Sequence, residues 1–273
     1  MLQVSGLYIY PVKSLGGISL QSAELTDRGF KYDRRWMLVD QSNRFLSQRE
    51  FAAMALIKMT LTDEGILASN PSGDCLLLRV DEYTTERAPV TIWDDVCEGC
   101  FVSGEADEWF SRSLQTPCRL VYMPDDSLRP VNPRYAPDDA VTSFSDAYPF
   151  LIIGQASLDD LNSRLETPVL MNRFRPNLVF TGGAPFMEDT LTSFSINNIE
   201  FSGVKLCARC PVPNIDQETG VSSKEPIKTL ARYRTKNHKV MFGQNVIHHG
   251  LGTISIGDEI AVLELTTEER FIV

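Results

Sequence analysis

The chain has 273 residues, of which 43% are hydrophobic, and its formal net charge is −10. The length and the apolar content allow a sizeable core in one large domain or two domains of ordinary size. The acidic balance argues against general nucleic-acid binding and against attachment to an anionic membrane surface. Because no apolar run approaches the ~20 residues of a spanning helix and the first residues lack a signal-peptide pattern, we expect a cytoplasmic protein.

Short strand patterns dominate the chain. Apolar or β-branched runs bounded by turn residues predict strands at 6–10, 35–39, 76–80, 89–93, 178–180, 195–201 and 257–263. Helices are predicted at 105–114, at 157–165 with Ser157 as the N-cap, and at 226–233 with Pro226 in the first turn. Many short strands with few helices indicate a mainly β (α+β) fold of barrels or sandwiches. An irregular, proline-rich stretch at 123–137 indicates a crossing between two β-rich units.

The first candidate for binding an anion follows the strand predicted at 6–10. Lys13 and Ser14 come shortly before a Gly-Gly pair, and an ammonium and a hydroxyl beside flexible backbone can hold a phosphate. Further along, Arg34 and Arg35 stand at the start of a predicted strand. Because side chains alternate between the faces of a strand, at most one of these guanidinium groups enters a shared pocket. From the residues alone, an exposed lysine in a turn and a surface arginine remain the simpler interpretations.

A second polar set precedes the strand predicted at 178–180. Arg175 and Asn177 are two residues apart and share a face. Arginine binds phosphate or carbonyl oxygens as a fork, and asparagine supplies both a donor and an acceptor. The pair suits the edge of a heterocycle such as a pterin, and it suits a network inside a strand end equally well.

The most distinctive chemical feature is a pair of thiols three residues apart. Cys207 and Cys210 enclose Arg209, whose guanidinium favours a thiolate, and a thiolate is a ligand for soft or high-valent metals. The prolines that follow prevent a regular helix, so we expect the pair on a loop after a strand. A buried pair, a redox dithiol and a single metal ligand all remain open. A second pair, Cys97 and Cys100, would complete a four-cysteine zinc site, although the two pairs lie much farther apart than zinc-ribbon spacing.

These pieces occur in one order in a known family. The chain resembles the MOSC domain proteins, named for the C-terminal domain of molybdenum cofactor sulfurase, and within them the mitochondrial amidoxime-reducing component and its bacterial relatives. The resemblance covers nearly the whole chain. The matching runs are Tyr-Pro-Val-Lys-Ser (10–14), Asp-Arg (33–34), Ser-Asp (145–146), Pro-Phe-Leu-Ile (149–152), Ala-Ser-Leu (156–158), Leu-Asn-Ser-Arg-Leu (161–165), Phe-Arg-Pro-Asn (174–177), Cys-Ala-Arg-Cys (207–210), Asp216 with Thr-Gly (219–220), and Lys-Glu-Pro (224–226).

The resemblance implies a fold, a cofactor and a set of site residues. The fold would be an N-terminal MOSC-type β-barrel domain at 1–118, followed by a MOSC β-barrel domain with a few helices at 119–273. The cofactor would be the molybdenum cofactor (Mo-molybdopterin), with Cys210 as the metal ligand and therefore the catalytic residue. The residues expected to bind the cofactor are Lys13, Ser14, Arg34, Arg175, Asn177 and Arg209.

The implied activity is the reduction of small N-hydroxylated compounds, namely amidoximes, hydroxylamines and N-hydroxylated base analogues, to amines. The sequence has no dinucleotide fingerprint and too few cysteines for an iron–sulfur relay, so we expect a protein electron donor of ferredoxin-like, flavin or cytochrome type. Trp93 and Asp94 are considered for the pocket rim but not assigned to the site, and no general acid is assigned. Two alternatives remain, a sulfur-carrier or cofactor-binding module with a persulfide on Cys210, and a structural zinc protein.

Overall fold

Strands make up most of the secondary structure in the computed structural model, which describes residues 1–136 and 140–266. In these residues the strands are β1 (Leu2–Ile9), β2 (Ile18–Leu20), β3 (Ser22–Thr26), β4 (Gly29–Phe30), β5 (Trp36–Val39), β6 (Lys58–Thr62), β7 (Gly65–Ser69), β8 (Cys75–Leu78), β9 (Arg87–Ile92), β10 (Asp95–Phe101), β11 (Arg119–Tyr122), β12 (Phe150–Gly154), β13 (Leu178–Thr181), β14 (Leu191–Ile196), β15 (Ile199–Ala208), β16 (Thr235–Lys236), β17 (Lys239–His248), β18 (Gly252–Ser255) and β19 (Glu259–Leu265). The α-helices are α1 (Gly104–Leu114), α2 (Gln155–Asn162) and α3 (Ile227–Leu230), and 3-10 turns span Ala52–Leu56, Met171–Phe174, Met187–Thr190 and Val212–Asn214.

Seven of the described strands close into a barrel. Their order is β12-β13-β1-β19-β14-β15-β17, and β17 returns to β12 by pairing with it antiparallel. The β12–β13 pair is parallel and is connected through α2, whereas the other barrel pairs are antiparallel. Closure removes the free strand edges that an open sheet would expose. Because β1 is a strand of the barrel, the turn that follows β1, which contains Lys13 and Ser14, lies next to the barrel.

Aromatic side chains fill the barrel interior. Phe194 and Phe201 stack with ring centres 5.3 Å apart, and Phe150 meets Phe201 edge to face at 5.8 Å. All three are fully buried. Such pairs add about 0.5–1.5 kcal/mol each to the free energy gained by burying their surface. This aromatic packing holds β12, β14 and β15 together inside the barrel.

Three smaller sheets complete the fold. Their strand orders are β5-β11-β10-β9, β18-β3-β4 and β6-β7-β8. The four-stranded sheet has its own core, in which Met37, Val90, Ile92 and Val121 are inaccessible to solvent. The mainly β fold with a few helices confirms the expected fold class. In the described chain, no helix has both the length and the apolar character needed to cross a bilayer.

Most predicted strands are confirmed, but one prediction joined two strands. The run at 195–201 contains the end of β14, a turn at Asn197 and Asn198, and the start of β15. Asn197 has φ +54°, a left-handed conformation that asparagine tolerates better than most residues. Ile196 and Ile199 are three residues apart, so the Asn-Asn pair breaks the period-2 alternation and marks the turn that the single-strand prediction overlooked.

The helix predictions hold in position, and one cap assignment is wrong. Gly154, not Ser157, is the N-cap of α2. Ser157 is fully buried inside the helix, where its Oγ donates to Glu188 and accepts from the backbone N–H of Phe186. The Ser157 hydroxyl therefore bonds to the buried Glu188 side chain and does not cap the helix N-terminus as the sequence pattern predicted. Pro226 is the N-cap of α3, one residue before its first turn.

Candidate functional site

A cleft of about 250 Å³ lies where the turn after β1 meets the loops around β13 and β15. All seven residues that the sequence singled out line this one cleft, although they come from distant parts of the chain. They are Lys13, Ser14, Arg34, Arg175, Asn177, Arg209 and Cys210.

Three of these residues have a left-handed backbone. The φ angles are +68° at Ser14, +49° at Arg34 and +56° at Arg175. Such conformations cost a non-glycine residue about 1–3 kcal/mol and cluster at ligand sites, where the surrounding structure holds them. Here the backbone N–H of Arg34 donates to the Tyr10 carbonyl, and its carbonyl accepts from Phe144. The fold therefore tolerates strain at two cationic residues and one serine that line the cleft.

The ring of Tyr10 lies beside two guanidinium groups. The guanidinium carbons of Arg34 and Arg175 are 4.3 and 4.2 Å from its centre. Its hydroxyl donates to the Pro176 carbonyl at 3.1 Å. Burial raises the pKa of Tyr10, so the hydroxyl stays protonated, whereas burial lowers the pKa of Arg175 to about 10. Arg175 therefore remains cationic at neutral pH, and a neutral aromatic ring helps to orient both guanidinium groups.

Asn177 joins these parts through its side-chain amide. Its Oδ1 accepts from Arg34 Nη1 at 3.0 Å and from the backbone N–H of Leu151 at 3.3 Å. Its Nδ2 donates to the Tyr8 carbonyl at 3.2 Å. Arg34 also pairs with Asp33 at 2.6 Å, and burial raises the pKa of that carboxyl while Arg34 opposes the shift. Because the amide is committed to protein partners, Asn177 positions Arg34 and the strand ends.

Lys13 is buried and is held by the segment at 144–146. Its Nζ donates to the Phe144 carbonyl at 2.9 Å and to Asp146 Oδ1 at 2.6 Å. Burial lowers the pKa of Lys13, and Asp146 opposes that shift. The cleft walls partly desolvate Asp146, which acts to raise its pKa, but the attraction and hydrogen bond of Lys13 outweigh this and the pKa lies well below its usual range. The Asp146 carboxyl is therefore charged at neutral pH, and its contact with Lys13 Nζ favours the protonated form of that amine.

The two thiols differ in their surroundings. β15 continues through Ala208, so Cys207 stands on the strand and only Cys210 lies on the loop beyond it, which corrects the expectation of a loop for both. Arg209 Nη1 donates to Cys207 Sγ at 3.2 Å, and its Nη2 donates to the Phe174 carbonyl at 2.7 Å. Burial raises the pKa of the Cys207 thiol, against the effect of Arg209. No hydrogen bond engages Cys210 Sγ within the described residues, so this sulfur is free to bind a ligand.

The four-cysteine zinc arrangement finds no support. Cys97 and Cys100 are buried on β10, and an odd separation along a strand places their side chains on opposite faces. Across residues 1–136 and 140–266, no group of three or more histidine, cysteine, aspartate or glutamate side chains is placed to hold a metal ion.

Several cleft residues were not found from the sequence. Gln48, Asp146 and Asn245 line the cleft, as do Arg49 and Trp93 at its rim. Asp146 belongs to one of the runs that matched the family, and Trp93 was considered for the rim, so these two carried some signal. Gln48, Arg49 and Asn245 belong to no motif in the sequence, and only their position in the fold reveals them.

The cleft is strongly cationic in an acidic chain. Its described lining has five cationic side chains and one carboxylate: Lys13, Arg34, Arg49, Arg175 and Arg209 against Asp146. The net charge of the whole chain is −10. A concave site lined by one sign of charge attracts ligands of the opposite sign. The arrangement can therefore bind an anion next to a free thiol.

The fold and the site define the class as a β-barrel protein with a cation-lined cleft that contains a cysteine without a hydrogen-bond partner in the described residues. The model of the MOSC N-terminal beta barrel domain matches residues 1–117, and that of the MOSC domain matches residues 139–261. The chain belongs to the MOSC family.

Individual relatives cover most of the chain. The mitochondrial amidoxime-reducing component 1 of Mus musculus is 33% identical over 280 residues, which cover 95% of this chain and 82% of that protein. The molybdenum cofactor sulfurase of Solanum lycopersicum is 32% identical over 265 residues, which cover 88% of this chain and 32% of that protein. Among solved structures, the YUAD protein from Bacillus subtilis covers 95% of this chain and 94% of its own at 11% identity, with a TM-score of 0.44.

Proposed function

We propose that the protein is a molybdenum-cofactor-binding oxidoreductase that reduces N-hydroxylated compounds to amines. The substrates would be amidoximes, hydroxylamines or N-hydroxylated base analogues, and the electrons would come from a partner protein. The similarity to amidoxime-reducing components over 95% of the chain supports this class of activity. The observation that carries the proposal is the free thiol of Cys210 at the end of a cleft lined by five cationic side chains.

The residues present fit an anionic, metal-bearing cofactor. Arg175 Nη2 and Arg209 Nε are buried nitrogens without a hydrogen-bond partner. Buried donors are usually satisfied, so unpaired N–H groups beside a cleft indicate that a ligand supplies their acceptors. Lys13, Ser14 and Arg34 would hold the phosphate of such a group, and Cys210 would bind the metal. Cofactors of this kind supply the electron pair for reductive cleavage of an N–O bond.

The chain itself contributes binding, orientation and charge. Arg34 and Arg175 are fixed against Tyr10, so they meet an anion with little loss of side-chain freedom. Arg209 keeps Cys207 engaged, which leaves Cys210 as the accessible sulfur. The Lys13–Asp146 pair carries a charged carboxylate at the same cleft. The proposed reduction consumes two electrons and two protons and releases water. The electron donor and a source of protons would therefore both have to reach the opening of the cleft.

Metal analysis and an activity assay test the proposal together. The protein would be produced in a host that makes the molybdenum cofactor, and its molybdenum and pterin content per chain would be measured. Reduction of benzamidoxime would be assayed with a reduced viologen dye as the donor. We expect about one molybdenum per chain and formation of benzamidine. Protein that carries molybdenum but reduces no N-hydroxylated compound would contradict the activity, and protein without molybdenum would contradict the cofactor.

A second candidate is a sulfur-handling role with a persulfide on Cys210. It is favoured by the 32% identity to a molybdenum cofactor sulfurase, and the free, partly exposed sulfur of Cys210 would suit it. A cyanolysis assay distinguishes the two. Sulfane sulfur on metal-free protein supports the carrier, whereas molybdenum without sulfane sulfur supports the oxidoreductase. The cytoplasmic location and the domain boundary at residue 118 stay predictions.

A further inference from the structure

One arginine at the cleft differs from the others. Arg49 is exposed and lines the cleft, and no ion pair or hydrogen bond engages it within the described residues. Its guanidinium carbon lies 4.2 Å from the ring centre of Trp93. Each of the other four cations of the cleft donates to at least one carbonyl, carboxylate or sulfur partner, although Arg175 Nη2 and Arg209 Nε remain unpaired. Arg49 is therefore a cation with its donors still available, held in place by a ring.

Trp93 is held in turn by two neighbours. Its indole Nε1–H donates to Asp146 Oδ1 at 3.3 Å, and its ring meets Phe45 edge to face with centres 4.6 Å apart. The residue nevertheless remains 37% exposed, whereas Trp36 and Trp109 are buried. A large aromatic surface is thus fixed in orientation and left open toward the cleft.

The backbone at Trp93 is also unusual. The residue lies in the two-residue turn between β9 and β10 and has φ +54°. Glycine, asparagine or aspartate normally occupies such a position, and a bulky aromatic residue there is an outlier. Strained backbone of this kind is concentrated at ligand-binding sites. The contacts of the Trp93 ring therefore hold this residue at the rim in a backbone conformation that is unfavourable for tryptophan in a turn.

We propose that Arg49 and Trp93 form a recognition site for an aromatic N-hydroxylated substrate that carries a carboxylate. This inference rests on the proposed function, because it specifies the substrate class of the same cleft. The free N–H groups of Arg49 donate to the two oxygens of a carboxylate as a fork, and stacking on Trp93 holds the guanidinium in a fixed plane. The open part of the indole packs against the aromatic ring of the substrate. A neutral aliphatic substrate uses neither contact.

Two substrates and two arginine variants test the site. Benzamidoxime and 4-carboxybenzamidoxime differ only in the charged group, and kcat and KM would be measured for both. We expect Arg49→Gln to lower the ratio of kcat/KM for the charged substrate over the neutral one by about tenfold, mainly through KM. Arg44→Gln is the matched control, because Arg44 is an arginine outside the cleft that pairs with Asp40 and Glu50. We expect the control to keep the wild-type ratio.

Binding provides a readout that does not depend on turnover. Titration with 4-carboxybenzamidoxime should change the tryptophan fluorescence of the wild-type holoprotein, and the change should be lost in Trp93→Phe and shifted to higher concentration in Arg49→Gln. If neither compound is reduced but this titration behaves as expected, the proposed activity fails and the recognition site stands. An unchanged substrate ratio in Arg49→Gln, an equal fall in Arg44→Gln, or a fluorescence change that survives in Trp93→Phe would overturn the site.

Discussion

Among the cationic side chains of the cleft, some hold the fold together and others do not. Arg34 neutralises Asp33, whose side chain is 1% exposed, whereas Lys13 pairs with Asp146, whose side chain is 72% exposed. Removing one partner of a buried charge pair costs about 3–5 kcal/mol, because the other charge stays behind unpaired. The same substitution therefore has different consequences at the two positions.

We expect Lys13→Ala to lose cofactor while the fold stays largely intact. The variant loses a charge-assisted contact of about 1.5–3 kcal/mol to an anion, and the remaining Asp146 can be solvated. Arg34→Ala should lose cofactor and also lower the midpoint of thermal unfolding, because Asp33 is left buried and unpaired. Molybdenum content and thermal unfolding would be measured for both variants. Full molybdenum content in Lys13→Ala and Arg34→Ala would mean that the anion is bound elsewhere.

The two thiols should separate in a mutational test. We expect Cys210→Ala to lose bound molybdenum and benzamidoxime reduction, because its sulfur is the one without a protein partner. Cys207→Ala should keep most of both, since Arg209 still donates to the Phe174 carbonyl. Metal content and viologen-driven turnover give the comparison. Equal behaviour of the two variants, or loss only in Cys207→Ala, would reverse the assignment of the ligand.

Glu188 makes stability depend on pH. Burial and the neighbouring Asp189 raise the pKa of Glu188 from 4.5 to about 7, and its side chain is fully buried. Because the folded-state pKa is the higher one, its stabilising contribution is complete below pH 4.5 and is lost as pH rises through 7. A shift of this size corresponds to about 3 kcal/mol.

We therefore expect Glu188→Gln to remove this dependence. The free energy of unfolding of the wild type, minus that of the variant, should fall by about 3 kcal/mol between acidic and mildly alkaline solution. Urea unfolding at pH values below 4.5 and above 7 measures this difference. Glu200→Gln, which changes an exposed glutamate on β15, is the control and should leave the wild-type profile in place. A pH-independent difference for Glu188→Gln would show that its carboxyl does not titrate in this range.

Between secondary-structure elements, a buried amide pair joins two loops of the cleft. Gln48 Nε2 donates to Gln217 Oε1 at 3.1 Å, and Gln217 Nε2 donates back to Gln48 Oε1 at 3.0 Å. Gln48 Nε2 also donates to the Ser14 carbonyl at 2.7 Å, and Gln217 to the Ile215 carbonyl at 3.1 Å. The pair thus ties the Ser14 turn to the loop that follows Cys210.

We expect Gln217→Ala to loosen both loops. The variant leaves the buried Gln48 amide without its partner, which costs about 1–3 kcal/mol. Urea unfolding would measure the loss of stability, and hydrogen exchange would show faster opening of the amides near Ser14. Gln21→Ala is the matched control, because Gln21 is exposed between β2 and β3. Unchanged exchange near Ser14 would indicate that the amide pair does not couple the loops.

For the whole molecule, the composition bears on the source of the electrons for the proposed reduction. The sequence has no dinucleotide fingerprint, and its cysteines amount to two pairs and two single residues. We therefore expect the proposed cofactor to receive its electrons from a protein donor of ferredoxin-like, flavin or cytochrome type. Electron-transfer interfaces are small and guided by charge, so a chain with net charge −10 should bind its donor in a salt-dependent way.

We expect the purified chain to reduce benzamidoxime with reduced viologen but not with NADH or NADPH alone. When a protein donor is supplied, turnover should fall as ionic strength rises, because exposed charges are screened within about 10 Å at 0.1 M salt. Viologen-driven turnover at the same ionic strengths is the control for effects on the enzyme itself. Reduction with NADH alone would refute the need for a protein donor.

The sequence by itself determined the class of the fold, and it predicted which residues belong to the candidate site. Alternating apolar runs reflect the period of a strand, so the segments that became β1, β5 and β9 were visible locally. The thiols around Arg209 and the Lys13–Ser14 pair were visible because adjacent residues carry the chemistry. Arg34, Arg175 and Asn177 were singled out by their positions at predicted strands, and the family resemblance assigned them to the cofactor. The structure brings all of them to one cleft.

The tertiary structure decided how these residues cooperate and which others join them. Closure of the barrel by β12 and β17 connects segments about 90 residues apart, and the Lys13–Asp146 and Gln48–Gln217 contacts join residues 133 and 169 positions apart. Arg49 and Trp93 belong to no motif, and their meeting depends on the turn between β9 and β10. Local patterns report which face of a strand is apolar, whereas side-chain partners across such distances depend on the path of the whole chain.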